Sequence, residues 1–251
     1  MDADVPLSLR TMLQPNTGAG TSGSFLGLGS DNARYWIKPL NNRQSPRVCF
    51  TEVVLSRLGQ LIGAPVCSVV LMRITEDFAG VEFEPHGTKL EPGVAAASRH
   101  ISGAVEYRDL RHRGRDSNDR RHAGVLALFL WLGGYDHQWL YVGSNDEELW
   151  SHDHGHYLCG GHDWNALTLT AGLTGASNVA ALGSHLGLHI GEVLRLADAL
   201  DDLDADTIAA SVCRVPGAWP IPAADKIALC QYVDVRRTMA SAQLRQVAQA
   251  L

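Results

Sequence analysis

The chain has 251 residues, of which 45% are hydrophobic and 19% charged, and it carries a net charge of −6. That length supports a substantial core in one large domain or two small lobes. The acidic balance excludes a general nucleic-acid binder, and no stretch approaches the ~20 apolar residues needed to span a bilayer. The opening Met-Asp-Ala-Asp has no basic and apolar leader, and the five cysteines are widely spaced. Neither a disulfide framework nor a Cys-x-x-Cys zinc site follows from that spacing, so a cytoplasmic setting is expected.

Residues 17–30 are rich in Gly and Ser, and Asp31-Asn32 signals a turn. Arg34–Lys38 then reads as a strand, with Tyr35 and Ile37 on one face and Trp36 and Lys38 on the other. Residues 47–62 read as a helix with a stripe of Val54, Leu55, Leu58, Leu61 and Ile62, stopped by Gly63. Residues 65–74 read as one or two strands. Residues 75–118 read as irregular, and the basic run from Arg108 to Arg121 interleaves arginines at 108, 111, 113, 115, 120 and 121 with aspartates. Such a run is a solvated loop or a segment that faces phosphate or a partner.

A helix apolar almost all round is expected over 119–132, capped by Ser117 or Asn118 and broken by Gly133-Gly134. Two short strands follow at 139–142 and 148–151, then a loop to about residue 177. Helices are expected near 189–200, 204–213, 223–232 and 234–249. The plan is α+β in two lobes: a small β-sheet lobe with one helix over 1–76, and a mainly helical lobe over 77–251.

Four polar residues stand at informative places in this plan. Lys38 ends a strand after a Gly-rich hairpin that contains Gly23, Ser24 and Gly27, so its ammonium can reach phosphates beneath that hairpin. The hairpin lacks the Gly-Lys-Ser/Thr ending of a Walker A loop. Glu52 lies in the first turns of the apolar helix, where it can pair with Lys38 or simply favour the helix dipole. Asp136 follows the glycine break and can accept a hydrogen bond from an attacking hydroxyl. Asp153 lies seventeen residues on, in Ser151-His-Asp-His-Gly-His-Tyr157, and is placed to hold Mg²⁺. His152, His154, His156, His162 and Cys159 are residue types that zinc also accepts, although no zinc spacing joins them.

At Tyr35-Trp-Ile-Lys-Pro39, Gly134-Tyr-Asp-His-Gln-Trp-Leu-Tyr141 and Ser151-His-Asp-His-Gly-His-Tyr-Leu158 the chain resembles the HipA-like kinases, specifically a short actinobacterial type. The resemblance extends to Val215-Pro-Gly-Ala-Trp-Pro220 and covers most of the chain. It implies a protein-kinase-like two-lobed fold that binds ATP and Mg²⁺ and phosphorylates serine or threonine on a protein. Relatives of this kind are toxins paired with an antitoxin, which implies an antitoxin-like protein partner. Carried over by position, Lys38 would bind ATP phosphates beside Gly23, Ser24 and Gly27. Glu52 would anchor Lys38, Asp136 would be the catalytic base, and Asp153 a metal ligand. One departure matters: the second metal-ligand Asn of the wider kinase pattern falls at Tyr141, leaving Gln138 as the nearest amide. A nucleotide- or protein-binding module without transferase activity is the alternative.

Overall fold

The computed structural model describes residues 5–15, 23–84, 87–143, 147–175 and 182–251. The front of the chain is a closed five-stranded barrel in the order β1-β2-β3-β5-β4. Its strands are β1 (Leu7–Gln14), β2 (Phe25–Gly29), β3 (Arg34–Lys38), β4 (Val69–Ile74) and β5 (Gly93–Arg99). Neighbours run antiparallel except β1 and β4, which pair in parallel to close the ring. Alternation sorts the strands as expected: Tyr35 and Ile37 join Leu9, Phe25, Met72, Ile74 and Ala97 inside the barrel. Trp36 and Lys38 point out of it.

The segment read as irregular holds two strands, β5 and the short β6 (Ala104–Tyr107). β5 runs Gly-Val-Ala-Ala-Ala-Ser-Arg, and its small residues carry little strand signal. It pairs with β3 and β4, so the barrel extends past the boundary expected at residue 76. β6 pairs with β7 (Gln138–Val142), which pairs with β8 (Glu148–His152) in a second, three-stranded sheet. The hairpin expected between residues 139 and 151 is this β7–β8 pair.

Helix α1 (Pro46–Leu61) is buried on more than its apolar stripe, because it lies between the barrel and the helical lobe. Ser45 caps its start and Pro46 occupies the first turn. Its inward polar groups are paired: Ser56 Oγ donates to Cys67 O at 2.9 Å, and Thr51 Oγ1 accepts from Trp164 Nε1 at 2.8 Å. Arginines bolt α1 to the back of the molecule. Arg47 pairs with Asp225 at 2.7 Å, and Arg57 donates to Arg214 O at 2.6 Å.

The helical lobe contains α2 (Asn118–Leu132), α3 (Ala166–Gly172), α4 (Ile190–Asp201), α5 (Ala205–Cys213) and α6 (Ala223–Ala250). α2 is buried almost all round, as its composition requires. α3 lies where a loop was expected; Asn165 and Thr168 form a capping box that starts it. The two final helices expected at 223–232 and 234–249 are one continuous α6, since no Gly or Pro interrupts residues 223–250. Among the described residues no helix is long and apolar enough to cross a membrane.

The arginine run acts largely as a tether. Arg113 donates to Ser184 O and Leu186 O, each at 2.6 Å, and Arg121 pairs with Glu148. Arg236 of α6 is buried and donates to Leu130 O and Trp131 O at 2.8 Å and to Gly175 O at 2.9 Å. It thereby satisfies carbonyls near the end of α2 that have no helical partner. Arg236→Met would leave those carbonyls dry, so a loss on the order of 3 kcal/mol is expected. Thermal unfolding should show a fall of roughly 6–12 °C; an unchanged midpoint would refute this role.

Two buried histidines make the fold sensitive to acid. Burial, reinforced by Arg113, pushes His122 down to about 4. Burial, reinforced by His152 and Lys38, pushes His154 to about 3. Both rings are neutral when folded, whereas the unfolded chain takes up these protons near 6.5. The contribution is therefore complete above pH 6.5 and is lost as pH falls toward 4. The denaturation midpoint should drop across that window, and a midpoint flat from pH 7 to pH 4.5 would contradict the assignment.

Candidate functional site

Lys38, Glu52 and Asp153 meet in the cleft between barrel and helical lobe. Lys38 Nζ lies 2.5 Å from Glu52 Oε1 and is also hydrogen-bonded to Asp153 Oδ1. Lys38 is 8% exposed and Glu52 3%. Two carboxylates thus share one ammonium in a poorly solvated place. Burial opposes the charge on Lys38, but Asp153 and Glu52 outweigh it and hold the ammonium protonated well above its ordinary range. Burial likewise opposes ionisation of Asp153, yet Lys38 holds that carboxyl well below the usual range. Glu52 takes the remaining strain: burial and the neighbouring Asp153 push it up to about 6 against the pull of Lys38.

The local backbone explains how these atoms meet. β3 delivers Lys38 from its outer face, and α1 presents Glu52 toward it. β8 ends at His152, and Asp153 follows in the left-handed conformation, φ 54° and ψ 56°, which aspartate tolerates better than most residues. A single helical turn, His154–His156, then begins. The backbone N–H of His154 donates to Glu52 Oε2 at 3.2 Å, so Glu52 holds both Lys38 and the segment that carries Asp153. Ser151 Oγ is hydrogen-bonded to His154 Nε2 at 2.8 Å and fixes that ring beneath the turn.

Asp153 itself makes the sharp turn that a glycine usually supplies. What Gly155 supplies is room, since a Cβ there would lie 2.5 Å from Val48 Cγ1 and close to Glu52.

Asp136 stands across the cleft, between the end of α2 and the start of β7. Its carboxylate pairs with Arg108 Nη1 at 2.8 Å and does not join the Lys38 cluster. Asp136 and Asp153 nevertheless face common ground. Glu106 on β6 is pushed up by burial and by both carboxylates against the pull of Arg108. His156 is held down by burial and His162, while Asp136 and Asp153 both act on it the other way. Glu106 and Arg108 escaped the sequence reading because β6 did.

Gln138 opens β7 directly opposite His152 of β8, which sets the two side chains on one face beside Asp153. It is 7% exposed, and no hydrogen bond to its side-chain amide is present among the described residues. Tyr141 lies on the opposite, core face, where its hydroxyl accepts from Arg111 N at 2.7 Å and donates to Arg111 O at 3.1 Å.

The Gly-rich hairpin joins β1 to β2, and its segment 16–22 lies outside the described residues. Gly23 has φ +60° and abuts the Glu84 carboxylate; Ser24 is half-buried. Gly27 turns its Cα toward the barrel interior: a Cβ there would lie 2.6 Å from Ile37 Cδ1. Among the described residues, no three His, Cys, Asp or Glu side chains are grouped to hold a metal ion. Of the histidines flanking Asp153, His154 is buried and His152 and His156 are half-buried.

The model of the HipA-like kinase family matches residues 12–165, more than half of the chain and all of the cleft residues named above. The curated proteins contain no match. Among solved structures the chain is similar to a Helicobacter pylori proinflammatory kinase, CtkA, with a TM-score of 0.64 and 12% identity over 98% of this chain and 99% of that one. It is also similar to the Golgi casein kinase, with a TM-score of 0.55 and 10% identity over 98% of this chain and 74% of that one. The Golgi casein kinase with Mn/ADP bound gives a TM-score of 0.53 and 10% identity over 96% of this chain and 72% of that one. At such identities the structures establish the fold, which is kinase-like, and the family model supplies the membership. The chain belongs to the HipA-like kinase family.

Proposed function

We propose that this protein is an ATP- and Mg²⁺-dependent phosphotransferase whose acceptor is a serine or threonine hydroxyl of a protein. The observation that carries the reading is the ammonium of Lys38 held between Glu52 and Asp153. The cluster holds two carboxylates against one cation, and such an excess of buried negative charge favours a further cation. The bound Mn/ADP of one fold neighbour is of the kind this cluster would accept.

In this reading Lys38 binds the phosphates of ATP, and Glu52 keeps its ammonium aimed into the cleft. Asp153 and Gln138 would hold Mg²⁺, which when bound neutralises charge on the phosphate oxygens. The donor set fits a hard cation: one carboxylate with its backbone fixed, and one buried amide oxygen. Asp136 accepts the hydrogen bond of the acceptor hydroxyl and aligns it for attack. An antitoxin-like protein partner rests on the family resemblance alone. A second reading, nucleotide binding without transfer, is favoured by Tyr141 standing where a metal-ligand Asn would be expected.

Incubation with γ-labelled ATP and Mg²⁺ separates the two. Label should reach a protein acceptor, disappear with chelator, and fall at least about a hundredfold in Asp136→Ala and Asp153→Ala. Transfer that survives both substitutions would sink the kinase reading; nucleotide-dependent thermal stabilisation without transfer would support the second.

The metal assignment has its own check. Gln138→Leu should weaken binding of Mn²⁺ with ADP, measured by calorimetry, at least about tenfold. Tyr141→Phe should leave that affinity unchanged, because residue 141 faces the core. Equal losses in the two variants would remove Gln138 from the site.

A further inference from the structure

We propose that Cys213 and Cys230 form a reversible disulfide on exposure to peroxide, and that this bond fastens the support on which helix α1 rests. The pair lies in the helical lobe, and the bond stands or falls independently of the nucleotide reading.

The five cysteines differ in what surrounds them. Cys49 and Cys67 are buried, and burial pushes both thiols up to about 12, where they are inert. Cys159 is half-buried and accepts from the Tyr135 hydroxyl at 3.7 Å. Cys213 is the exposed one, and so the one an oxidant meets first. It is the last residue of α5, and Cys230 lies on α6, against which α5 packs. Their neighbours fix this approach: Val212 and Leu229 are both fully buried in the common core, and Cys230 packs partly buried against it. The two thiols are close enough to hydrogen-bond to each other, and burial together with Cys213 pushes Cys230 up to about 11. The end of a helix has the backbone freedom to reach the narrow Cα spacing that a disulfide demands.

The chemistry balances with a peroxide as the oxidant. The Cys213 thiolate attacks one oxygen of hydrogen peroxide and breaks the O–O bond, leaving a sulfenic acid on Cys213 and releasing water. The Cys230 sulfur then attacks the Cys213 sulfur and expels its oxygen as a second water. Two thiols and one hydrogen peroxide thus become one disulfide and two waters, and an external thiol reverses the step by exchange.

The place of the pair gives the bond its consequence. Arg57 of α1 donates to Ser211 O at 3.2 Å and to Arg214 O at 2.6 Å, so its two acceptors flank Cys213. Arg47, at the other end of α1, pairs with Asp225, little more than one helical turn before Cys230 on α6. The disulfide therefore joins the two anchor points of the helix that carries Glu52.

The full chain, reduced and then treated with a slight excess of hydrogen peroxide, tests this. Two of the five thiols should be lost. A digest made without reductant should contain one linked pair of peptides, holding Cys213 and Cys230, that dithiothreitol separates. Closing a loop of this length should raise the thermal midpoint by roughly 5–10 °C, and amide exchange across Pro46–Leu61 should slow. Cys213→Ser and Cys230→Ser, each shown to be folded by its own thermal transition, should undergo none of these changes. Linkage of other cysteines, dimers joined through Cys213, or Cys213 carried on to sulfinic acid would overturn the proposal. A disulfide that forms yet leaves both midpoint and exchange unchanged would overturn the role given to it.

Discussion

One ammonium shared by two carboxylates is the constraint on which the rest of the structure turns. Lys38 comes from the barrel, Glu52 from the helix between the lobes, and Asp153 from the turn after β8. Each would be costly to bury alone, and together they still carry an excess negative charge. The excess is managed rather than removed. The backbone N–H of His154 supports Glu52, whose carboxyl is raised to about 6, while Lys38 keeps Asp153 ionised. A fold that only needed stability would replace this cluster with apolar side chains. A site that accepts a cation and a polyphosphate, as proposed for this one, has reason to keep it.

Helix α1 is where that requirement meets packing. To hold Glu52 at the seam it must be buried on both sides, and its polar residues are satisfied one by one through Thr51, Ser56 and Trp164. Arg47 and Arg57 fix its outer contacts to α6 and to the residue after α5. Gly155 belongs to the same arrangement, because the closeness of Val48 forbids a side chain there. The position of one carboxylate is therefore set by contacts that reach both lobes. This is why residues as far apart as Arg57 and Gly155 bear on a cleft they do not line.

Much of this was legible before any fold was known, for identifiable reasons. Strand alternation placed Tyr35 and Lys38 on opposite faces, and the apolar content of α2 required a central helix. The pairing of Lys38 with Glu52 followed from the elements that carry them, whereas the contact of Asp153 with the same ammonium was not foreseen. What escaped had weak or ambiguous local signals. β5 has three alanines among its seven residues and is held as a strand by its neighbours, not by its own propensity. α3 was announced by the Asn165–Thr168 box yet is only two turns long. The turn at Asp153 has no glycine to announce it, since Gly155, two residues on, is needed for clearance.

The departure at Tyr141 takes on a different meaning once the register of β7 is known. Residues 138 and 141 are three apart on a strand of period two, so they face opposite sides of the sheet. β7 begins only two residues after Asp136, which puts position 141 on the core face. An asparagine there would be buried against the segment after β6, far from useful orientation, and the tyrosine found instead binds Arg111 backbone atoms. The cleft face at this level belongs to Gln138, opposite His152 and next to Asp153. The short loop after Asp136 has thus moved the available amide three residues forward. Under the proposed metal assignment the second contact falls to that glutamine, and the identity of residue 141 is a consequence of packing.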